Sequence, residues 1–304
     1  MTLFDSRLLA RFQCLSLMAR QVGGRSLLAA PKRKLPAGGT EVTGLRDYSP
    51  GDDIRHIDWR WAARRDELLT KVFAGDVDLH AYILLDCSPS MGLGRPPKFH
   101  LARRIAAALG YVSLLNLDRL GVAAFAGGMV AGLPMLRGQT RTATLLNFLE
   151  HLPLQGAQTD LERSADAFCR CRQRPGPVVV LSDLYDRRGF RRGLDLLLDR
   201  GYEPRVVQIV DPREADAGTL GNVELVDVES GTGREVTITE RAGARYRTLY
   251  AEFQDSVRQY CAERHIVGLQ VACDASEDET LLRVLGLRGE LHRTPPAHYS
   301  SRSA

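Results

Sequence analysis

Asp86, Ser88 and Ser90 stand at alternate positions in the stretch His80-Ala-Tyr-Ile-Leu-Leu-Asp86-Cys-Ser88-Pro-Ser90-Met-Gly92, directly after an apolar run. One carboxylate and two hydroxyls are hard oxygen donors, the kind that magnesium, calcium or manganese takes in preference to Cys and His. The same residue types favour loops and caps, so taken alone they serve equally well as caps for a following helix. Two later stretches also place oxygen-bearing side chains beside helix starts or strand ends. Gln155-Gly-Ala-Gln-Thr159-Asp160 precedes a helical stretch, and Val178-Val-Val-Leu-Ser182-Asp183 is a second apolar run that ends in a carboxylate.

The elements around these residues follow from hydrophobic periodicity. An uninterrupted apolar run such as residues 81–85 is the pattern of a strand buried on both faces, and it puts Asp86 at the carboxyl end. In open α/β sheets ligands gather at that end. Residues 86–97 are rich in Gly and Pro, and residues 98–117 carry Phe99, Ile105, Leu109, Val112 and Leu115 at helical spacing. Further strands are predicted over 120–125 and 129–133, turning at Gly127-Gly128 to form an antiparallel edge, and over 205–210 and 265–271. Helices are predicted over 140–151, 161–171, 190–200, 245–264 and 277–285, with an inserted β-hairpin over 222–228 and 235–239.

Asp86, Ser88, Ser90, Thr159 and Asp183 together resemble the metal-ion-dependent adhesion site of von Willebrand factor A domains. In that family the Asp and two Ser of a first loop, the Thr of a second and the Asp of a third surround one divalent ion. The resemblance spans roughly residues 77–287. It implies an α/β fold with a doubly wound, mostly parallel sheet and one antiparallel edge strand. It also implies a metal held by these five side chains, magnesium ahead of calcium or manganese. Two carboxylates only balance such an ion, so an open coordination position at the exposed end of the sheet can take an acidic side chain from a partner.

Upstream, from Ile57 the pattern alternates, setting Ile57, Trp59, Trp61 and Ala63 on one face, and predicts a half-buried strand with a hairpin partner over 68–73. Tyr48, Gly51, Asp52, Asp53, Arg55, Ile57, Asp58, Trp59, Ala63 and Arg64, lying just before the A-type region, resemble the bacterial family called domain of unknown function 58. That resemblance implies a MoxR-type AAA ATPase as partner. The pair would act on a client protein in chaperone-like assembly or metal insertion. The domain organisation read from these features is an N-terminal β-rich extension over 1–75, an A-type domain over 76–290 and a disordered tail over 291–304.

Composition narrows the remaining classes. With 44% hydrophobic and 26% charged residues and a net charge of +4, the chain has the makeup of an ordinary globular protein, and charge calls for no nucleic acid. The six cysteines are scattered, which points to reduced thiols and a cytoplasmic setting. Asp5, Arg7, Arg11 and Gln13 interrupt any signal-type apolar core, and no run approaches the ~20 apolar residues of a membrane span. Residues 5–20 have the stripe of an amphipathic helix, and 31–36 form a basic loop that reads as solvated or as meeting an acidic partner. No phosphate-binding loop or dinucleotide fingerprint occurs, and His56, His80, His100, His151 and His265 are isolated. The leading expectation is a binding module and not an enzyme. The alternative is a magnesium-dependent phosphohydrolase using Asp86, against which Ser88 stands where many such enzymes carry a second carboxylate.

Overall fold

The computed structural model describes residues 4, 10–14, 41–48, 54–65, 68–74, 80–156, 158–171, 174–216, 218, 220–229 and 231–286. The chain divides into two units, one of residues 30–79 and one of residues 1–29 with 80–304. In the smaller unit β1 (Glu41–Asp47) and β2 (Leu69–Ala74) pair antiparallel, and α1 (Trp59–Arg65) lies between them in the chain. This overturns the strand predicted from Ile57 and its hairpin with 68–73. Asp58 supplies the reason. Its Oδ1 accepts the Trp61 N–H at 3.2 Å and its carbonyl accepts the Ala62 N–H at 3.0 Å, which closes a first helical turn. The segment Trp59-Arg-Trp-Ala-Ala-Arg-Arg contains no β-branched residue, and Ala and Arg are strong helix formers. Four alternating positions are too short a run to separate a strand period from a helical one. Trp59 is accordingly 60% exposed, while Ile57 keeps its buried place and bridges to Thr70.

The larger unit contains β3 (His80–Asp86), α2 (Lys98–Leu115), β4 (Arg119–Phe125), β5 (Met129–Arg137), α3 (Thr142–His151), α4 (Leu161–Arg170) and β6 (Pro177–Ser182). It continues with α5 (Phe190–Asp199), β7 (Glu203–Val210), β8 (Gly221–Val226), β9 (Gly233–Ile238), α6 (Glu240–Glu263), β10 (Val267–Ala272) and α7 (Glu277–Val284). Six of these strands form one sheet in the order β10-β7-β6-β3-β4-β5, parallel throughout except for the antiparallel edge strand β5. β8 and β9 form a separate two-stranded antiparallel sheet.

Because side chains alternate across a strand, β3 feeds both faces of the sheet. Ala81, Ile83 and Leu85 join one apolar cluster with residues of α2, α3 and α7, such as Ile105, Leu145 and Leu281. Tyr82 and Leu84 join the other with residues of α4, α5 and α6, such as Leu161, Leu194 and Val257. The result is a sheet between two helical layers, which explains why its central strands lack polar interruptions. α6 begins at Glu240, five residues ahead of the predicted start, because the Thr239 hydroxyl oxygen accepts the Ala242 N–H at 3.2 Å and caps it.

Residues 10–14 are helical, and Phe12, 1% exposed, lies with its ring 6.0 Å from that of Tyr111 on α2. The rest of the predicted 5–20 helix apart from residues 10–14, the basic loop over 31–36 and the tail over 291–304 lie outside the described residues. No helix among the described residues is long and apolar enough to cross a membrane.

Candidate functional site

β3 and β6 are neighbours at the centre of the sheet, yet the chain leaves them in opposite directions, from β3 towards β4 and β5 and from β6 towards β7 and β10. Such a reversal opens the crevice in which α/β sheets hold ligands. Asp86 ends β3, Ser88 and Ser90 follow it, and Asp183 is the first residue after β6. The cluster is covered and not open at the exposed end of the sheet as predicted: Asp86, Ser88 and Asp183 are 0% exposed, Thr159 4% and Ser90 5%.

Both carboxylates are held at both oxygens. The Ser88 N–H donates to Asp86 Oδ1 at 2.9 Å and the Ser182 hydroxyl to Oδ2 at 2.6 Å. The Tyr185 N–H donates to Asp183 Oδ1 at 3.1 Å and the Lys98 ammonium to Oδ2 at 2.7 Å. The Ser88 and Ser90 hydroxyl oxygens lie 3.0 Å apart. Thr159 arrives on a loop stitched across the strand ends, in which the Gln155 N–H donates to the Cys87 carbonyl and the Asp160 N–H to the Ala126 carbonyl, each at 2.9 Å. Gly156 makes that loop possible: its φ is 98°, and an added Cβ would lie 2.6 Å from the Ala126 Cβ. The Thr159 hydroxyl donates to Glu229 Oε1 at 3.1 Å. Asp86, Ser88 and Ser90 are therefore directly linked, Asp183 lies close enough for its charge to act on Asp86, and Thr159 is tied to Glu229.

Sequence reasoning missed four participants: Ser182, Lys98, Glu214 and Glu229. Ser182 carried a signal, being the polar residue that interrupts an apolar run just before Asp183. Lys98 carried one too, because it is the sole Lys from residue 80 to the end of a chain otherwise rich in Arg. Its side chain is 0% exposed, donates to Glu214 Oε1 at 2.6 Å as well as to Asp183, and its nitrogen lies 4.9 Å from the centre of the Tyr185 ring. A compact three-donor ammonium suits that position better than a planar guanidinium. Glu214 and Glu229 come from distant loops, and nothing in their spacing relates them to Asp86.

Burial raises the Asp86 carboxyl to about 7, the nearby charge of Asp183 adds to the rise, and the hydrogen bonds from Ser182 and Ser88 hold it back. For Lys98 burial acts downward, but Asp183 and Glu214 outweigh it and leave the ammonium above its ordinary value. Burial, with Asp86 beside it, pushes the Cys87 thiol up to about 12, which keeps this neighbour protonated and inert.

The donor set suits a hard divalent cation. With Asp86 ionised, the carboxylates of Asp86, Asp183 and Glu214 against the one Lys98 ammonium leave two negative charges, and a cation beside Asp86 would favour that ionised form by relieving the repulsion from Asp183. Among the described residues no three His, Cys, Asp or Glu side chains group as a metal cage. An ion here would rest on the Asp86 and Asp183 carboxylates with the hydroxyls of Ser88, Ser90 and Thr159.

The chain is similar over 238 residues to an uncharacterized protein of Mycobacterium tuberculosis strain H37Rv, at 29% identity, covering 77% of this chain and 75% of that protein. An uncharacterized protein of Mycobacterium bovis matches with the same figures. Among solved structures it is similar to the conserved hypothetical protein BatB from Bacteroides thetaiotaomicron, at 18% identity and a TM-score of 0.44, covering 68% of this chain and 96% of that one. A family model described as protein of unknown function DUF58 matches residues 44–259, a span that includes all five loop residues and the segment beginning at Tyr48. The chain thus belongs to the DUF58 family.

Proposed function

We propose that this protein is a divalent-cation-dependent binding module with a von Willebrand factor A-like domain, one that recognises an acidic side chain of a partner protein. The observation that carries this reading is the placement of Asp86, Ser88 and Ser90 at the end of β3 and of Asp183 at the end of the adjacent parallel strand β6, where the sheet order reverses and the Ser182 hydroxyl bonds Asp86 across the two ends. Magnesium is the ion of choice for such oxygens, and bound there it would supply an electrophilic position for a carboxylate. The chain's own residues do the positioning. Ser182 and the Ser88 N–H fix the orientation of Asp86, while Lys98 and the Tyr185 N–H fix that of Asp183. The partner in this reading is a MoxR-type AAA ATPase, with which the protein acts in the cytoplasm in chaperone-like assembly or metal insertion on a client protein.

The phosphohydrolase alternative asks Asp86 to attack or to meet a substrate directly. Asp86 is 0% exposed and both its oxygens already accept hydrogen bonds, which favours a held ligand over a nucleophile. Isothermal titration with magnesium tests the main reading: Asp86→Ala should lose the binding seen in wild type. Equal affinity in the two proteins would refute the site. Metal-dependent phosphomonoester turnover that disappears in Asp86→Ala would instead establish the alternative.

A further inference from the structure

We infer that the β8–β9 hairpin is a built-in occupant of this site, with the Glu229 carboxylate standing where an acidic side chain of a partner would bind. The inference rests on the cation-dependent reading above and adds the regulation of that same site. Glu229 lies in the turn between β8 and β9, and its Oε1 accepts the Thr159 hydroxyl at 3.1 Å. The turn is shaped to present it. The Glu229 N–H donates to Asp227 Oδ1 at 2.9 Å, the Asp227 N–H to the Thr232 carbonyl at 3.0 Å, and the Gly231 N–H to the Asp227 carbonyl at 2.7 Å. Arg187, on the loop that leaves β6 just after Asp183, pairs with Asp227 and ties the turn to the site loops.

The rest of the hairpin is held much less. β8 and β9 pair only with each other among the described strands, and Leu225, Val226 and Val228 are 52%, 60% and 41% exposed. The seated part is therefore a carboxylate, while the apolar residues beside it face outward. This inverts what hydrophobic burial would select, so apolar packing does not explain the docking of the tip. Glu229 is also brought near Asp183, another acid, and Thr159 and Arg187 are the groups that offset the repulsion. A cation among these groups would turn that repulsion into attraction. Thr159 is buried and its hydroxyl is taken by Glu229 in this arrangement, so a partner carboxylate reaches that hydroxyl only by displacing Glu229. The partner class follows from the chemistry: a protein loop presenting Asp or Glu within reach of the Thr159 hydroxyl.

The experiment has a metal-free arm and a manganese arm, both on the full chain. Without metal, amide hydrogen exchange across residues 221–238 should be at least tenfold faster in Glu229→Ala than in wild type, with Glu229→Gln in between. Unchanged exchange overturns the inference whatever the metal does. With manganese bound, water-proton relaxation should rise in Glu229→Ala as solvent reaches the ion, and millimolar glutarate should reverse the rise in the variant but not alter wild type. Equal relaxation in the two proteins means that Glu229 docks without shielding the ion, which also overturns the inference. Manganese binding that is absent in wild type, or equal in Asp86→Ala, refutes the cation reading instead. The exchange arm then decides by itself whether Glu229 covers these loops.

Discussion

At the scale of single residues, the site is a balance of buried charge. Lys98 sits between Asp183 and Glu214 with no exposed surface, and such a pair contributes little net energy when intact but is costly to break. Lys98→Met should lower stability by about 3–5 kcal/mol, read from the urea midpoint, because it leaves two carboxylates facing each other. Retained stability would mean that the ammonium is not a structural counter-charge. Asp86 gives the matching pH prediction. Its carboxyl is raised from the ordinary 3.8 to about 7, so the native state holds this proton more tightly than the unfolded chain does. The stability tied to this group is then fully present below pH 3.8 and is lost as pH rises through about 7. In chelator-treated protein, Asp86→Asn should flatten the fall in melting temperature across that window. A slope unchanged by the substitution would assign the titration to another group.

At the scale of elements, α1 shows a short polar interaction overriding a side-chain pattern. The Asp58 carboxylate caps the helix through the Trp61 N–H, whereas the Trp59 ring is mostly exposed. Asp58→Ala should therefore cost about 1 kcal/mol, as the loss of a cap does. Trp59→Ala should stay within about 0.5 kcal/mol of wild type, as exposed positions do. Paired urea denaturation curves check the order, and a larger loss for Trp59→Ala would place its ring in a packed environment. The loop ahead of α4 is the element that brings in Thr159. It is held by backbone bonds to Cys87 and Ala126 and by Gly156, while Leu152 at its start packs into the apolar core.

At the scale of the whole molecule, the proposed complex with the ATPase should respond to chelator and to salt in different ways. A contact made through a cation buried among the site loops is screened far less by salt than exposed charge pairs are. Pull-down of the ATPase should fail with chelator or with Asp86→Ala and persist in moderate salt. A complex that survives chelator and Asp86→Ala, dissolves in moderate salt and is lost on deleting Lys32 to Lys34 would place the contact on the basic N-terminal residues.

The central strands, the antiparallel edge and the succession of helices after residue 80 were legible in the sequence. A strand covered on both faces must be apolar along its length, and each helix must repeat its apolar residues every three or four positions. The strand ends also marked Asp86 and Asp183 directly, because a carboxylate after an apolar run marks where the run of apolar packing stops, although both side chains remain buried. Tertiary structure alone decided the rest. The pairing of β2 with β1 joins segments more than twenty residues apart, and Asp58 turned an alternating pattern into α1 through bonds that periodicity does not encode. Lys98 opens α2, Glu214 follows β7 and Glu229 lies in the β8–β9 turn, and they meet Asp183 and Thr159 only once the sheet is assembled. Polar contacts of this kind follow no repeat along the chain, since their partners are set by where the folded backbone ends up and not by spacing in sequence.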